Sequence, residues 1–250
     1  VTWFRCTAVR PWAPLRLFCF PHAGGSAVFY RSWAEAVGPA VEVHAVQYPG
    51  RADRLRDPLI PDARRLARLV AGAIGQHADR PAVLFGHSMG ALVAYETALL
   101  MRERGLPLAH LFASAARSPR DWGDRRRIST LDDDGVVAEM VALGGTDAAA
   151  LEDPELRELV LPYVRNDFAL VESYVADERD DRPRLDVPVT AIVGDADANV
   201  TAGQAERWRE ETSSDFALRV LPGGHFYLQE QRDAVVREVL TRLQIPAQGH

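Results

Sequence analysis

Short apolar runs alternate with longer stretches of helical periodicity along most of this chain, and that alternation limits the available folds more than any other feature. Strands are predicted at 15–20 ("LRLFCF"), 41–48 ("VEVHAVQY"), 82–85 ("AVLF"), 108–114 ("LAHLFAS"), 189–193 ("VTAIV") and 216–221 ("FALRVL"). Helical patterns fall between or beside them at 27–37, 61–77, 89–104, 202–211 and 232–243. Strand, helix, strand in that order calls for right-handed crossovers and a mostly parallel sheet flanked by helices, which is an α/β architecture.

The rhythm breaks once. Between 117 and 184 no strand is predicted, yet "LDDDGVVAEMVALGG" and "YVRNDFALVESYVADE" are amphipathic. About 65 residues rich in charge would be marginal as an independent domain. The expectation is therefore a single domain with its core at about 1–116 and 185–250 and a helical lid inserted at about 117–184. "RDDRPRLDVP" at 179–188 reads as the linker back to the sheet.

With 250 residues and 47% hydrophobic content, such a chain can bury a large core. Its formal charge of −6 includes no lysine, all the basic residues being arginine, and argues against a nucleic-acid partner. Two cysteines, Cys6 and Cys19, cannot make a disulfide framework, and Cys19 sits within an apolar run. A cytoplasmic protein is expected. The first residues given show no charged-then-apolar signal pattern, and no apolar run comes near the roughly 20 residues a membrane span requires, so a soluble protein is the expectation.

The stretch "LFGHSMGALVAYE" at 84–96 carries a G-x-S-x-G pattern centred on Ser88. At average usage those letters occur by chance in about one chain of this size in ten, so the context has to decide. Here an apolar strand precedes the pattern and a helix follows it, as a nucleophile elbow of the α/β-hydrolase fold requires. Gly86 and Gly90 leave room for a tight, strained turn, and a Cβ at either would collide with a neighbouring strand or helix.

A serine hydroxyl needs a base, and the base needs an orienting carboxylate. In this fold the chain order is serine, acid, histidine. His225, in "LPGGHFYL" after the last strand, fits the base. The acid is expected from "VGDADANV", where Asp197, clear of the strand end, is preferred over Asp195, which has the alternative of capping the turn. The loop "PHAGGSA" at 21–27 has neither phosphate-loop pattern and reads instead as a wall of the oxyanion hole, with backbone N–H groups of Ala23 and Met89 as donors. Loop 21–26, Ser88, Asp197 and His225 all follow the carboxyl ends of different predicted strands, where open α/β sheets build their sites.

The remaining histidines have structural readings. His44 and His110 lie in strands, His77 ends a helix, and His87 should point away from Ser88. His22 is a candidate substrate contact, but its place before Ser88 does not suit a base. Phe168, Leu170 and Tyr174 are candidates for lining a pocket under the lid, and Arg125–Arg127 make a basic run of the kind that commonly serves only as a solvated face.

Taken together, "LFCFPHAGGSA", "VQYPGRADR", "LFGHSMGALVAYE", "LPYVRNDFALVESY", "PVTAIVGDAD" and "PGGHFYL" resemble the type II thioesterases of polyketide synthase and nonribosomal peptide synthetase systems, within the α/β-hydrolase superfamily. Thioesterase domains fused to a synthase often carry the acid after an earlier strand. Here "LFASAARSP" has no carboxylate until Asp121, so the likeness is to the discrete editing enzymes. The resemblance implies a triad of Ser88, Asp197 and His225 with oxyanion donors at Ala23 and Met89. It implies no cofactor and no metal. The implied reaction is hydrolysis of acyl groups from the phosphopantetheine arm of an acyl or peptidyl carrier protein, with removal of stalled or aberrant chains. A general carboxylesterase or an acyltransferase would use the same triad, and an idle hydrolase-fold binding protein would show a gap in it, which this sequence does not.

Overall fold

A computed structural model describes residues 3–121, 127–144, 149–174 and 183–245. Its strands are β1 (Phe4–Arg5), β2 (Leu15–Phe20), β3 (Val41–Val46), β4 (Ala82–His87), β5 (Leu108–Ser114), β6 (Val189–Gly194) and β7 (Phe216–Leu221). They form one seven-stranded sheet in the order β1-β3-β2-β4-β5-β6-β7. Every pairing is parallel except that of β1, which runs antiparallel to β3 at the edge.

Strands β2 to β6 are mostly apolar and buried along nearly their whole length because both faces of the sheet are covered. Residues alternate sides: Phe18, Phe20, Leu84, Leu111 and Val193 face α2 (Ala63–Gly75) and α3 (Met89–Glu103), whereas Leu17, Cys19, Phe85, Phe112 and Ile192 face α1 (Trp33–Ala36) and the carboxyl-terminal helix at Arg232–Arg242. Each fully buried large side chain, such as Phe85 or Trp33, contributes about 1.5–3 kcal/mol. The Asp62 carboxylate caps α2 by accepting the Arg65 N–H at 2.6 Å, and Leu66, Ala67, Val70, Ala71 and Ile74 make its buried stripe. Helix α3 is buried on nearly every side and runs along the sheet from the carboxyl end of β4.

Between Ser114 and Arg184 the described residues contain no strand. They hold α4 (Asp133–Leu143), capped by the Asp132 carboxylate and ended by Gly144 at φ +84°, and α5 (Pro154–Ser173), which starts with proline after the capping Asp153. These two helices and the 3-10 turn at Ala149–Glu152 build a small core from Val136, Met140, Leu151, Leu161, Val164 and Phe168, and Ala23 of the loop after β2 packs against it. The predicted linker at 179–188 lies outside the described residues up to 182. Three further helices follow β6: α6 (Ala202–Glu206), α7 (Tyr227–Glu230) and α8 (Arg232–Arg242).

Parallel register brings the carboxyl ends into one line. Phe20 pairs with Gly86, His87 with Ser114, Ser114 with Ile192, and Gly194 with Leu221. The segments that leave these ends, including the loop at 21–26, Ser88, Asp197 and His225, therefore converge on one edge of the sheet.

Candidate active site

Ser88 stands between β4 and α3 with φ +54° and ψ −119°, a conformation that costs a non-glycine residue roughly 1–3 kcal/mol. Its neighbours make the turn possible. A Cβ on Gly86 would overlap the Gly90 carbonyl, and one on Gly90 would overlap the Phe20 carbonyl, so both positions require glycine. The Ser88 N–H donates to Ser114 O at 2.8 Å, fastening the elbow to β5.

Ser88 Oγ lies 3.0 Å from His225 Nε2, and His225 Nδ1 lies 2.8 Å from Asp197 Oδ2. Asp197 Oδ1 accepts the N–H groups of Asn199 at 2.8 Å and Val200 at 3.2 Å, so the carboxylate is orientated from two sides. Asp195 takes a different part: its Oδ1 accepts the Gly223 N–H at 2.9 Å and ties the loop after β6 to the loop after β7. A close approach completes that tie, because a Cβ on Gly194 would overlap the Gly223 carbonyl. The three side chains thus form one hydrogen-bonded line, a geometry in which the imidazole can take a proton from Ser88 while its other N–H stays on a buried carboxylate.

The line opens into a cavity of about 360 Å³. Ala23 and Met89 line it beside Ser88, and their N–H groups meet no acceptor among the described residues. Met89 begins α3, whose first N–H groups favour negative charge. Much of the remaining wall is apolar: Ala115, Ala116, Ile128, Leu143, Phe168, Val171, Val200 and Phe226. Glu139, Glu172, Arg117 and Asn199 add polar edges. The Glu172 carboxylate receives the N–H of Ile128 at 2.6 Å and that of Ser129 at 3.0 Å, and so holds the Ile128 wall against α5.

His22 lies in the same wall, with its ring edge-on to Phe29 and Phe226 at 4.7 Å each. Its Nδ1 is buried without a partner among the described residues. Burial, helped by the charges of His225 and Arg51, lowers its pKa to about 3, so it presents a neutral ring. His87 turns back under the sheet, where Nδ1 meets Ser114 Oγ at 2.8 Å and that hydroxyl meets Tyr227 OH at 2.6 Å. Burial and the neighbouring His225 and His22 hold it well below the usual histidine range.

Two expected lining residues lie elsewhere. Leu170 is fully buried in the main core, and Tyr174, also in that core, directs its hydroxyl to Glu96 of α3. The helical phase explains the difference: Phe168, Val171 and Glu172 share the cavity face of α5, while 170 and 174 share the opposite side. Val171, Glu172 and Ile128 were not anticipated. Of the arginine run, Arg127 is exposed, and Arg125 and Arg126 lie outside the described residues.

Among the described residues, one group of side chains could offer metal ligands, namely Cys6, just after β1, with Glu42 and His44 of β3. Glu42 is already committed, accepting from Arg10 N, Arg16 Nε, Arg80 Nη2 and His44 Nε2, and two guanidinium charges beside it oppose a cation.

A model of the thioesterase domain family matches residues 15–243. The chain belongs to the thioesterase family. It is similar to a probable cadicidin biosynthesis thioesterase of Streptomyces griseus, at 43% identity over 92% of this chain and 62% of that protein. It is 38% identical to thioesterase PikA5 of Streptomyces venezuelae, over 96% of this chain and 85% of that one. Among solved structures, the type II thioesterase BorB of the borrelidin biosynthetic cluster superposes with a TM-score of 0.89 at 37% identity, covering 96% of this chain and 97% of the other. This thioesterase therefore has the α/β-hydrolase fold, with one antiparallel edge strand on a parallel sheet. No helix among its described residues is long and apolar enough to cross a membrane.

Proposed function

We propose that this chain hydrolyses acyl thioesters carried on the phosphopantetheine arm of an acyl or peptidyl carrier protein, clearing stalled or aberrant acyl groups in polyketide or nonribosomal peptide synthesis. The observation that carries the proposal is the hydrogen-bonded line Ser88–His225–Asp197, opening into a largely apolar cavity. Family membership and likeness to BorB and PikA5 support the choice of a thioester as substrate.

In this reading Ser88 Oγ attacks the thioester carbonyl as His225 Nε2 takes its proton, and Asp197 holds the resulting imidazolium. The tetrahedral oxyanion accepts hydrogen bonds from the N–H groups of Ala23 and Met89. Collapse breaks the carbon–sulfur bond, and His225 returns its proton to the departing thiol. Water, deprotonated by neutral His225, then attacks the acyl-serine. A carboxylic acid leaves, and Ser88 regains its proton. Residues 117–184 serve as a lid inserted in a single-domain core of about 1–116 and 185–250, with Phe168, Val171 and Ile128 bounding the acyl chain. His22 bears on the substrate as a neutral wall rather than as a base. The two free cysteines, one sealed in the core, suit a reducing cytoplasm.

The test is a panel of carrier-bound acyl thioesters of different length and branching, set against oxygen esters of the same acids with and without an alcohol acceptor. The proposal expects release of free acid from the carrier thioesters at higher kcat/KM than from the oxygen esters. Preference for the oxygen ester, or transfer to the alcohol in place of hydrolysis, would overturn it.

A further inference from the structure

Arg51 and Asp167 form a buried ion pair that joins three segments far apart in the chain. Arg51 Nη1 and Nη2 reach Asp167 Oδ2 and Oδ1 at 2.6 and 2.7 Å, across 116 residues of sequence. Both side chains are only 3% exposed. The guanidinium also lies over the rings of Tyr48 and Tyr163, at 5.4 and 4.6 Å. A pair so enclosed is costly unless its remaining hydrogen-bonding groups are used.

Arg51 Nε donates to the Pro49 carbonyl at 3.4 Å and Asn166 Nδ2 approaches Asp167 Oδ1 at 3.5 Å, while two further bonds go to the turn after β2. Asp167 Oδ2 accepts the Gly24 N–H at 2.8 Å, and Arg51 Nη1 donates to the Gly25 carbonyl at 3.1 Å. That turn closes with Gly25 N–H donating to His22 O at 2.9 Å, and Gly24 has φ +77° while Ala23 does not have positive φ. Those features describe a type II turn with Ala23 and Gly24 at its centre. Turning it to type I would rotate the Ala23–Gly24 peptide by about half a revolution. The Gly24 N–H would leave the carboxylate, and the Ala23 carbonyl oxygen would face that negative charge instead. The pair therefore fixes the orientation of the Ala23–Gly24 peptide; the Ala23 N–H lies in the preceding peptide, which such a flip leaves in place, and the pair holds that group by anchoring the turn at the Gly24 N–H and the Gly25 carbonyl. Helix α5 adds shape to charge, because a Cβ at Gly24 would come within 3.3 Å of Val164 Cγ2.

We propose that Asp167 and Arg51 are positioning residues that lock the His22–Gly25 turn, and with it the Ala23 N–H, into oxyanion-binding geometry only when α5 is seated. The proposal rests on the reading of Ala23 as an oxyanion donor. It makes the lid helix part of the catalytic geometry as well as a wall of the acyl pocket. Interactions realised only in the transition state change kcat, whereas pocket walls act first on KM.

The experiment uses the full chain carrying Asp167→Asn or Arg51→Lys, with hydrolysis of an acyl N-acetylcysteamine thioester as the assay. A trifluoromethyl ketone with the same acyl chain, which becomes a tetrahedral oxyanion when serine adds to it, is the second probe. In both variants kcat should fall on the order of 10²-fold with KM little changed, and affinity for the ketone should fall in parallel. Arg51→Lys keeps the buried charge but loses the fork, and it decides the matter if Asp167→Asn does not fold. Folded variants with wild-type kcat would overturn the proposal, as would a loss carried by KM with ketone affinity unchanged, or failure of both variants to fold. Ser88→Ala measured alongside separates the two readings. If it is inactive while both pair variants are normal, this proposal alone fails. If it turns over undiminished, the reading of the site fails and takes this one with it.

Discussion

Asp197→Asn replaces one buried oxygen by an NH₂ group and leaves the size of the side chain unchanged. Its consequence follows from which oxygen is already taken. Asp197 Oδ1 accepts two backbone N–H groups, from Asn199 and Val200, so the asparagine carbonyl oxygen must occupy that position. The amide NH₂ then faces His225 Nδ1, where Oδ2 accepts a hydrogen bond at 2.8 Å in the native chain. Two donors cannot share that bond, so His225 shifts its proton to Nε2 and presents N–H, not a lone pair, to Ser88 Oγ. The same substitution in serine-protease triads lowers kcat by about 10⁴, equivalent to about 5.5 kcal/mol of barrier. Two loop hydrogen bonds survive, so the thermal midpoint should move by no more than about 1 kcal/mol of stability requires. The assay is steady-state hydrolysis of an acyl N-acetylcysteamine thioester, with the melting temperature measured on the same samples. Asp195→Asn is the control: the amide oxygen can still accept the Gly223 N–H, and activity should barely change. An Asp197→Asn enzyme within tenfold of wild type, or an Asp195→Asn enzyme that loses most of its activity, would refute this reasoning.

Other expectations follow from packing and charge. Gly90→Ala should lower stability by about 1–3 kcal/mol or more, because its methyl would overlap the fixed Phe20 carbonyl, and a thermal melt with parallel activity assay checks it. Phe168→Ala should shift kcat/KM by about tenfold toward longer or branched acyl groups relative to short ones, measured across an acyl series. For Glu42, burial opposes ionisation, but hydrogen bonds from His44 and Arg16 override it and bring the pKa down to about 2. Because the folded value is depressed, its stabilisation is complete above the unfolded value of about 4.3 and is lost as pH falls from there toward 2. Urea titrations of wild type and Glu42→Gln should therefore differ most at neutral pH and converge by about pH 2.

The sheet was legible because its strands are short apolar runs ended by turns; 15–20, 108–114 and 216–221 fall on the observed strands. Strand β1 was not, since two residues, Phe4 and Arg5, have no period to detect. The helical pattern at 27–37 divides into a 3-10 turn at Ala27–Tyr30 and the single turn α1, and that at 202–211 divides into α6 and a 3-10 segment. Such breaks are tertiary choices that local periodicity does not encode. At the site, Ser88, Asp197 and His225 could be nominated because each type of residue sits at a strand end in a known chain order. Leu170 and Tyr174 went astray because a sequence shows that α5 is amphipathic without showing which flank meets a cavity. Arg51 and Asp167 lie within two stretches that carry the family resemblance, "VQYPGRADR" and "LPYVRNDFALVESY", but residues 116 apart give no local pattern that pairs them; only the fold does.

The most direct measurement is mass spectrometry of the enzyme quenched in acid during turnover of an acyl thioester. The account predicts one acyl group on the peptide containing Ser88, and neither adduct nor turnover in Ser88→Ala. An acyl group on any other residue, or undiminished hydrolysis by pure Ser88→Ala, would contradict it.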